Sequence, residues 1–423
     1  MSWSFNSPSR RRHGLGLLVA ALAVALAAGC TTKAEPAGGG GTLATGQGVT
    51  DKAIKLGVLT DRTGVFAAAG KSAEQGRHLF WDNKNAQGGV CGRQVEFVVK
   101  DHGYNAQNAV TAYAQIKDDV LALDELLGSP MIAGLLPNLQ SDQMLTMAAS
   151  WSSNLLTNPY VVITGATYDI EMINGIHWLI ENKGLAAGGK IGHIFLEGDY
   201  GENAAAGSRA AAKELGLELV EHKVKPTDTD LTGPVTALRG AGVEFVLLTT
   251  TPPQTASAVA VAEASGFDAT FLGSNPTFSS ALLASPAKTA LEKRLLISTS
   301  VAPFSSSAAG PTEVRKAFLA KYPDQVKSTF VMYGYAQGEI MARILDTACQ
   351  NNALTRTGLL EAFQSLNDVR TNGLVAPLDY SRPGQIPARQ SYVVRPDTGA
   401  DGGLTQLQGL FAAPSAAIYQ PAS

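Results

Sequence analysis

The chain has few cysteines and few charged residues, and beyond its N-terminal segment it has no long apolar run. Its 423 residues include only three cysteines, and charged residues make up 16% of them. With a formal net charge of −3, no basic surface for a nucleic acid is expected. Beyond residue 28, no apolar run is long enough to span a bilayer. The hydrophobic fraction of 45% is nevertheless typical of globular proteins, and the length favours two domains.

Catalytic motifs are also missing from the sequence. It contains no GxSxG, HExxH or GxxxxGKS/T pattern. The six histidines are scattered, and no pair of carboxylates is brought together by its spacing. We therefore expect no metal site, no cofactor and no enzymatic activity.

The N-terminus has the pattern of an export signal. Arg10, Arg11 and Arg12 precede an apolar run over 14–28, which as a helix covers roughly 22 Å and is shorter than a bilayer core of roughly 30 Å. Small residues end the run directly before Cys30, as in a bacterial lipobox. The sequence thus predicts a signal peptide over 1–29 and a lipid on Cys30. An ordinary secretion signal with an unrelated cysteine is the alternative.

Two further segments have the composition of connecting chain. Four consecutive glycines, 38–41, lie in a stretch rich in Ala, Thr and Pro, which predicts a flexible tether over 30–52. Residues 412–423 are expected to form a C-terminal tail.

Cys91 and Cys349 are the two remaining cysteines. An even pair in an exported protein favours a disulfide, because the compartment outside the cytoplasm is oxidising. The alternative is a pair of buried free thiols.

Strands and helices are predicted to alternate twice along the chain. The first run has strands at 54–59, 94–100, 123–127 and 145–149, and the second has strands at 190–196, 217–224, 243–249 and 269–272. Helical patterns separate them, and further helices at 331–348 and 355–366 precede predicted strands at 374–380 and 390–395. This order predicts an α/β fold with two doubly wound parallel-sheet lobes.

Small polar and aromatic residues occupy the turns that follow these strands. In open α/β sheets, ligands bind beyond the carboxyl ends of the strands, where helix N-termini offer free N–H groups. Such side chains orient a small polar ligand without supplying a nucleophile and its base. The turns are Asp61–Gly70, Gly128–Pro130, Ser150–Ser153, Gly198–Gly201, Thr249–Pro252 and Gly273–Pro276.

Four short segments, in this order, resemble the type I periplasmic binding proteins of the branched-chain amino acid importer group. They are DRTG at 61–64, NAQGGVCGR at 85–93, DYGE at 199–202 and GAGV at 240–243. The resemblance covers about 53–411 and implies two lobes joined by three hinge crossovers. Lobe 1 would hold 53–165 and 302–370, and lobe 2 would hold 166–301 and 371–411. Both Cys91 and Cys349 would then lie in lobe 1.

The resemblance also implies which residues of lobe 1 hold a ligand. Family members bind the ligand carboxylate through hydroxyl and backbone N–H groups of lobe 1 loops. The matching positions here are Ser129, Ser152 and Ser153, with Phe66 and Trp151 as walls of the cleft.

On lobe 2 the implied ligand-binding residues are Tyr200, Thr250, Thr251 and Asn275. Asn275 stands where amino acid-binding members have a glutamate that pairs with the ligand ammonium. A neutral amide forms a weaker hydrogen bond to a cation than a carboxylate does. The ligand class therefore stays open among branched-chain amino acids, amides, urea and small or aromatic carboxylates.

The function implied by the resemblance is capture of a small polar solute by hinge closure and its delivery to an ABC importer. The implied partners are the ligand, the permease subunits and the membrane reached through the lipid. The protein would be a monomer at the cell surface or in the periplasm. The alternatives are a ligand-sensing ectodomain that presents its occupied state to a receptor and, less favoured, an extracytoplasmic enzyme.

Overall fold

Residues 43–186 and 188–421 are described by the computed structural model. The predicted signal peptide over 1–29 and the lipidation site Cys30 lie outside these residues. Within the described ranges, no helix combines the length and the apolar character needed to cross a membrane.

The first segment of the chain builds a five-stranded parallel sheet in the order β3-β2-β4-β5-β6. Strand β4 is buried along its whole length, as expected for a parallel sheet covered on both faces. The elements are β1 (Ala44–Thr45), β2 (Ala53–Thr60), α1 (Ala67–Ala86), β3 (Gln94–Asp101), α2 (Ala106–Ile116), β4 (Ala122–Leu127), α3 (Ser129–Ser141), β5 (Thr146–Ala149) and β6 (Val161–Ile163).

The second segment builds most of a larger sheet. Its strands pair in parallel in the order β11-β10-β9-β7-β8. The elements are α4 (Tyr168–Lys183), β7 (Lys190–Leu196), α5 (Asp199–Leu215), β8 (Glu218–Val224), α6 (Thr232–Gly240), β9 (Phe245–Thr249), α7 (Pro252–Ala264), β10 (Thr270–Gly273), α8 (Lys288–Arg294) and β11 (Leu295–Thr299).

The third segment returns to the first sheet and then to the second. Helix α10 packs along α1, and the last two strands extend the second sheet to seven strands by antiparallel pairing with β11. The elements are α9 (Ala309–Lys321), α10 (Thr329–Gln350), β12 (Ala353–Leu354), α11 (Arg356–Ser365), β13 (Ser391–Pro396), β14 (Leu404–Phe411) and α12 (Pro414–Ile418).

The chain thus passes three times between two sheets, after β6, after β11 and after α11. We call the five-stranded sheet with its helices lobe 1 and the seven-stranded sheet with its helices lobe 2. The predicted α/β fold with two parallel-sheet lobes is confirmed, with β13 and β14 as antiparallel additions. The predicted divisions after 165, 301 and 370 fall within the three connections, and they stay predictions.

Part of the predicted tether is folded. Strand β1 pairs in parallel with β12, and the Gly46 N–H donates to the Leu354 carbonyl at 2.8 Å. Gly48 has φ 73°, and a Cβ there would lie 2.5 Å from the Leu121 nitrogen. The prediction of a flexible tether over 30–52 is therefore wrong for 43–52, where backbone pairing fixes the chain to lobe 1.

The predicted tail also packs on the protein as far as the structure describes it. Helix α12 lies against α4, and the Ser415 hydroxyl hydrogen-bonds His177 Nε2 at 2.6 Å. The Arg389 guanidinium donates to the carbonyls of Ala416 and Tyr419 at 2.9 and 2.6 Å.

A disulfide joins Cys91, in the turn after α1, to Cys349, near the end of α10. Their Cα atoms are 6.1 Å apart, and 258 positions separate them in sequence. Both cysteines belong to lobe 1, so the bond links elements of one lobe.

Glycines let α1 and α10 approach each other closely. A Cβ on Gly76 would lie 2.1 Å from the Val331 carbonyl oxygen, and one on Gly334 would lie 2.0 Å from the Ala73 carbonyl oxygen. Both glycines are buried inside helices, where glycine is otherwise unfavourable. The helix contact therefore requires hydrogen at both positions.

Candidate functional site

A cavity lies where the carboxyl ends of the two sheets face each other. It contains about 440 Å³ of space, part of it open to solvent, and is lined by fourteen residues from both lobes. The lobe 1 residues follow β2, β3, β4 and β5 or belong to α10. The lobe 2 residues open α4 and α5 or follow β10. This is the position that parallel α/β sheets favour for ligands.

Half of the lining is aromatic. Four rings form a row that runs from lobe 2 to lobe 1, each ring tilted or edge-on to the next. The ring centroids are 4.6 Å apart for Tyr200 and Tyr168, 6.1 Å for Tyr168 and Trp151, and 4.9 Å for Trp151 and Tyr333. The aromatic residues are Phe66, Tyr104, Trp151, Tyr168, Tyr200, Phe330 and Tyr333.

Two carboxylates outside the cavity shape the loops that carry Phe66 and Tyr104. The buried Asp61 carboxylate accepts hydrogen bonds from the N–H groups of Gly64 and Phe66 at 2.5 and 2.9 Å. Asp101 bonds both this loop and the turn after β3. Tyr104 adopts a left-handed conformation with φ 55°, rare for a tyrosine, and its ring lies 4.7 Å from Phe66. A strained residue held in this way beside a cavity is typical of a functional position.

The start of α3 supplies the polar end of the cavity. Ser129 is the first residue of α3, so its N–H has no partner within the helix. Its buried hydroxyl shares a hydrogen bond of 2.6 Å with that of Ser150. The helix dipole and these hydroxyls favour a negatively charged group.

None of the described residues that line the cavity is Asp, Glu, Lys, Arg or His. Burial raises the pKa of Tyr104, of Tyr168 and of Tyr200 above the ordinary value, so all three phenols stay protonated and can donate. The Tyr200 hydroxyl already shares a hydrogen bond of 2.6 Å with Ser274.

A buried glutamate lies behind the cavity. The carboxylate of Glu171, on α4, accepts hydrogen bonds from the N–H groups of Asn275 and Ser300 at 3.0 and 2.8 Å. Burial raises the pKa of Glu171 to about 8, against the lowering effect of these hydrogen bonds. Glu171 thus ties the loop after β10 to the crossover after β11.

Polar contacts connect the two lobes beside the cavity, buried at Ser153 and exposed at Asn154. The Ser153 hydroxyl donates to Asp169 at 2.6 Å and accepts from the Asn203 amide at 2.7 Å. The Asn154 amide donates to Asp199 at 2.9 Å. Ser153 and Asn154 belong to lobe 1 and their partners to lobe 2, so these bonds hold the lobes together in this conformation.

Four of the nine predicted ligand-binding residues line the cavity, and five do not. Ser129, Trp151, Phe66 and Tyr200 are among its lining residues. The other five residues make contacts outside the cavity.

Ser152 and Ser153 are buried in the contact between the lobes, where Ser153 bonds Asp169 and Ser152 faces Asp199. Neither hydroxyl lines the cavity. Both serines follow β5, but the chain turns at Trp151, so that its ring enters the cavity and the serines face lobe 2.

The three lobe 2 residues stabilise local structure. The Thr250 hydroxyl bonds Thr255 at 2.8 Å, and Thr251 caps the N-terminus of α7. The Asn275 side chain accepts from the Thr299 hydroxyl at 3.0 Å, outside the cavity.

Four aromatic residues of the cavity were not predicted. Tyr104 lies in the turn after β3, which is not one of the six predicted turns. Tyr168 opens α4, and Phe330 and Tyr333 lie on α10, far along the chain from the strands that they face. Only the turn after β3 offered a signal, because no local pattern shows which face of a helix meets a distant sheet.

In the part of the chain that the structure describes, no three His, Cys, Asp or Glu side chains converge in a way that could hold a metal ion.

Comparison with known proteins gives consistent similarities over most of the chain. A family described as "periplasmic binding protein" matches residues 53–402. A solved structure named as a fatty acid ABC transporter substrate-binding protein from Thermomonospora curvata is 40% identical. The match covers 89% of this chain and 97% of that one, with a TM-score of 0.87.

Two further relatives carry names of branched-chain amino acid binders. Leu/Ile/Val-binding protein homolog 8 of Brucella abortus is 26% identical over 324 residues, which are 69% of this chain and 76% of the relative. A branched-chain amino acid ABC transporter structure from Thermus thermophilus, with bound valine, has a TM-score of 0.75 and 19% identity. That match covers 88% of this chain and 99% of the other.

Proposed function

Since the chain belongs to the type I periplasmic binding protein family, as its resemblance predicted, we propose that it is the solute-binding component of an ABC importer and captures a carboxylate with an apolar body. It acts outside the cytoplasm, as a monomer tethered through a lipid on Cys30, and hands the unreacted ligand to the permease. The aromatic, uncharged cavity is the observation that carries the proposal.

The cavity favours a carboxylate over an amino acid zwitterion. The N-terminus of α3 with Ser129 and Ser150 suits a negative head group. An ammonium would enter a lining without a carboxylate, and a buried charge without a partner is strongly unfavourable. Asn275 stands where family members have the ammonium partner, and its side-chain oxygen accepts a hydrogen bond from Thr299 outside the cavity. The name of the Thermomonospora curvata relative, a fatty acid transporter component, agrees with this chemistry.

Ligand binding is expected to favour the closed arrangement of the lobes. A ligand in the cavity touches Ser129 and Trp151 of lobe 1 and Tyr168 and Tyr200 of lobe 2. Contacts to both lobes exist together only when the lobes are closed, so the ligand shifts the population toward closure.

A matched pair of ligands tests the proposed ligand class. Leucine and 4-methylpentanoate share a carbon skeleton and a carboxylate and differ in the ammonium group. Titration calorimetry should show tighter binding of 4-methylpentanoate by about tenfold or more, a difference of about 1.4 kcal/mol. Tighter binding of leucine, or of a quaternary ammonium such as choline through the aromatic rings, would contradict the proposal. Recovery of the acid unchanged by mass spectrometry separates binding from catalysis.

Substitutions then test the site itself. Trp151→Ala and Tyr200→Ala should each weaken binding of 4-methylpentanoate by about tenfold or more, because buried aromatic anchors dominate binding free energies. Tyr419→Ala, a half-buried tyrosine of the C-terminal segment outside the cavity, is the control and should bind as the wild type does. If all three variants bind 4-methylpentanoate as the wild type does, Trp151 and Tyr200 do not belong to the site.

Neighbouring permease and ATPase genes would favour transport over the alternative of a sensing ectodomain.

A further inference from the structure

A second, larger cavity lies next to the first. It contains about 1150 Å³ of space, part of it open to solvent, and shares Phe66, Ala69, Pro276 and Phe330 with the first cavity as common walls. We call it the outer chamber, and the first cavity the inner cavity.

The walls of the outer chamber are mainly apolar and come from both lobes. Val65 and Ala68 lie before and in the first turn of α1, Phe278 and Leu282 follow β10, and Val326 precedes α10. Lys71 is the one charged residue among its described lining residues.

Two walls of the outer chamber are apolar side chains that remain exposed. Val65 is 42% and Val326 57% exposed, and they are two of the four large hydrophobic residues that are exposed in the described part of the chain. Exposed apolar residues that cluster at a cavity mark a binding surface. Their position beside the inner cavity points to the same ligand rather than to a separate one.

We propose that the outer chamber holds the distal part of a long alkyl chain whose carboxylate lies in the inner cavity, so that the protein selects long-chain over short-chain carboxylic acids. This inference rests on the proposed function. The inner cavity alone encloses the head group and the first carbons. A longer chain passes Phe66 and Phe330 and buries its remaining methylenes against Val65, Phe278 and Val326.

The expected dependence on chain length follows from burial of apolar surface. Each further methylene that leaves water contributes about 0.8 kcal/mol, which tightens binding about fourfold. Affinity should therefore rise steadily from hexanoate through octanoate and decanoate to dodecanoate, measured below their micelle-forming concentrations.

A variant that fills the outer chamber tests the inference. Ala68 is exposed on the first turn of α1 and lines the chamber. Ala68→Trp should bind hexanoate as the wild type does and should lose the gain at decanoate and dodecanoate, by about tenfold or more. Ala133→Trp, at an exposed position of α3 outside both cavities, is the matched control and should keep the wild-type profile. Val326→Asp, a charge on the exposed wall, should reduce the same gain without touching the core.

The outcomes separate this inference from the proposed function. If hexanoate binds but affinity is flat with chain length, or rises equally in Ala68→Trp, the outer chamber does not hold the chain and the inference is wrong. If none of the acids binds the wild type, the proposed function itself is wrong. If Ala68→Trp binds every acid normally but impairs uptake in cells, the chamber is a permease-docking surface, which also overturns the inference.

Discussion

The buried Glu171 predicts a distinct pH dependence of stability. Burial raises its pKa from 4.5 to about 8 in the folded protein, and the nearby Asp169 adds to this effect. Between these two pH values the folded protein retains a proton that the unfolded chain releases. The free energy of unfolding that Glu171 contributes is therefore fully present below pH 4.5 and is lost as the pH rises toward 8.

The size of this effect follows from the same shift. One pH unit within the window changes the free energy of unfolding by about 1.4 kcal/mol, so the change from pH 4.5 to pH 7 is about 3 kcal/mol. Glu171→Gln removes the titration. It also weakens a hydrogen bond to Asn275 or Ser300, but that loss is the same at every pH and cancels when differences between pH values are compared.

Urea unfolding followed by tryptophan fluorescence at pH 4.5, 5.5 and 7.0 measures this dependence. The stability of Glu171→Gln relative to the wild type should rise by about 3 kcal/mol across the series. Glu181→Gln changes an exposed glutamate of the same helix and should show no such trend. A constant difference between Glu171→Gln and the wild type at all three pH values would refute the reasoning, because Glu171 would then titrate equally in both states.

Two predictions concern the packing of lobe 1. Replacement of Cys91 and Cys349 by serine opens a loop of 258 residues and should lower the free energy of unfolding by up to about 5 kcal/mol, visible as a lower melting temperature in calorimetry. An unchanged melting temperature would contradict this. Gly334→Ala places a Cβ against the Ala73 carbonyl and should lower the free energy of unfolding by about 1–3 kcal/mol in chemical denaturation. Gly134 is exposed on α3 with free space around it, so Gly134→Ala should raise that free energy by about 0.5–1 kcal/mol. Equal effects of the two alanines would show that α1 and α10 can separate easily.

The alternation of strands and helices was sufficient to predict the fold, but not every element. Helix α4 was missed because eleven of its residues are buried, so it lacks the polar face that makes a helix recognisable in a sequence. Strand β11 is a short buried run, which periodicity alone does not distinguish from a helix. The predicted strand at 374–380 contains Pro377, which cannot donate to a ladder, and the structure has only isolated bridges there.

Only part of the candidate site was predicted, because contacts between distant segments decide which side chains face the cavity. The rule that ligands lie beyond strand ends located the turns that carry Phe66, Ser129 and Trp151, and the family resemblance implied these residues within the turns. It did not predict which of several adjacent polar residues faces the cavity, because Ser153 is directed to Asp169 by a contact between the lobes. Tyr333 depends on how α10 packs across lobe 1, and such packing between distant segments leaves no local sequence signal.

The position of the Cys91–Cys349 disulfide bears on the lobe opening that the proposed function requires. Both half-cystines belong to lobe 1. The bond therefore crosslinks that lobe and places no covalent constraint on the three connections between the lobes. Reduction is therefore expected to lower the stability of lobe 1 without holding the two lobes open or closed. Under the proposed function, loss of the disulfide would lower stability and leave the exchange of solute unchanged.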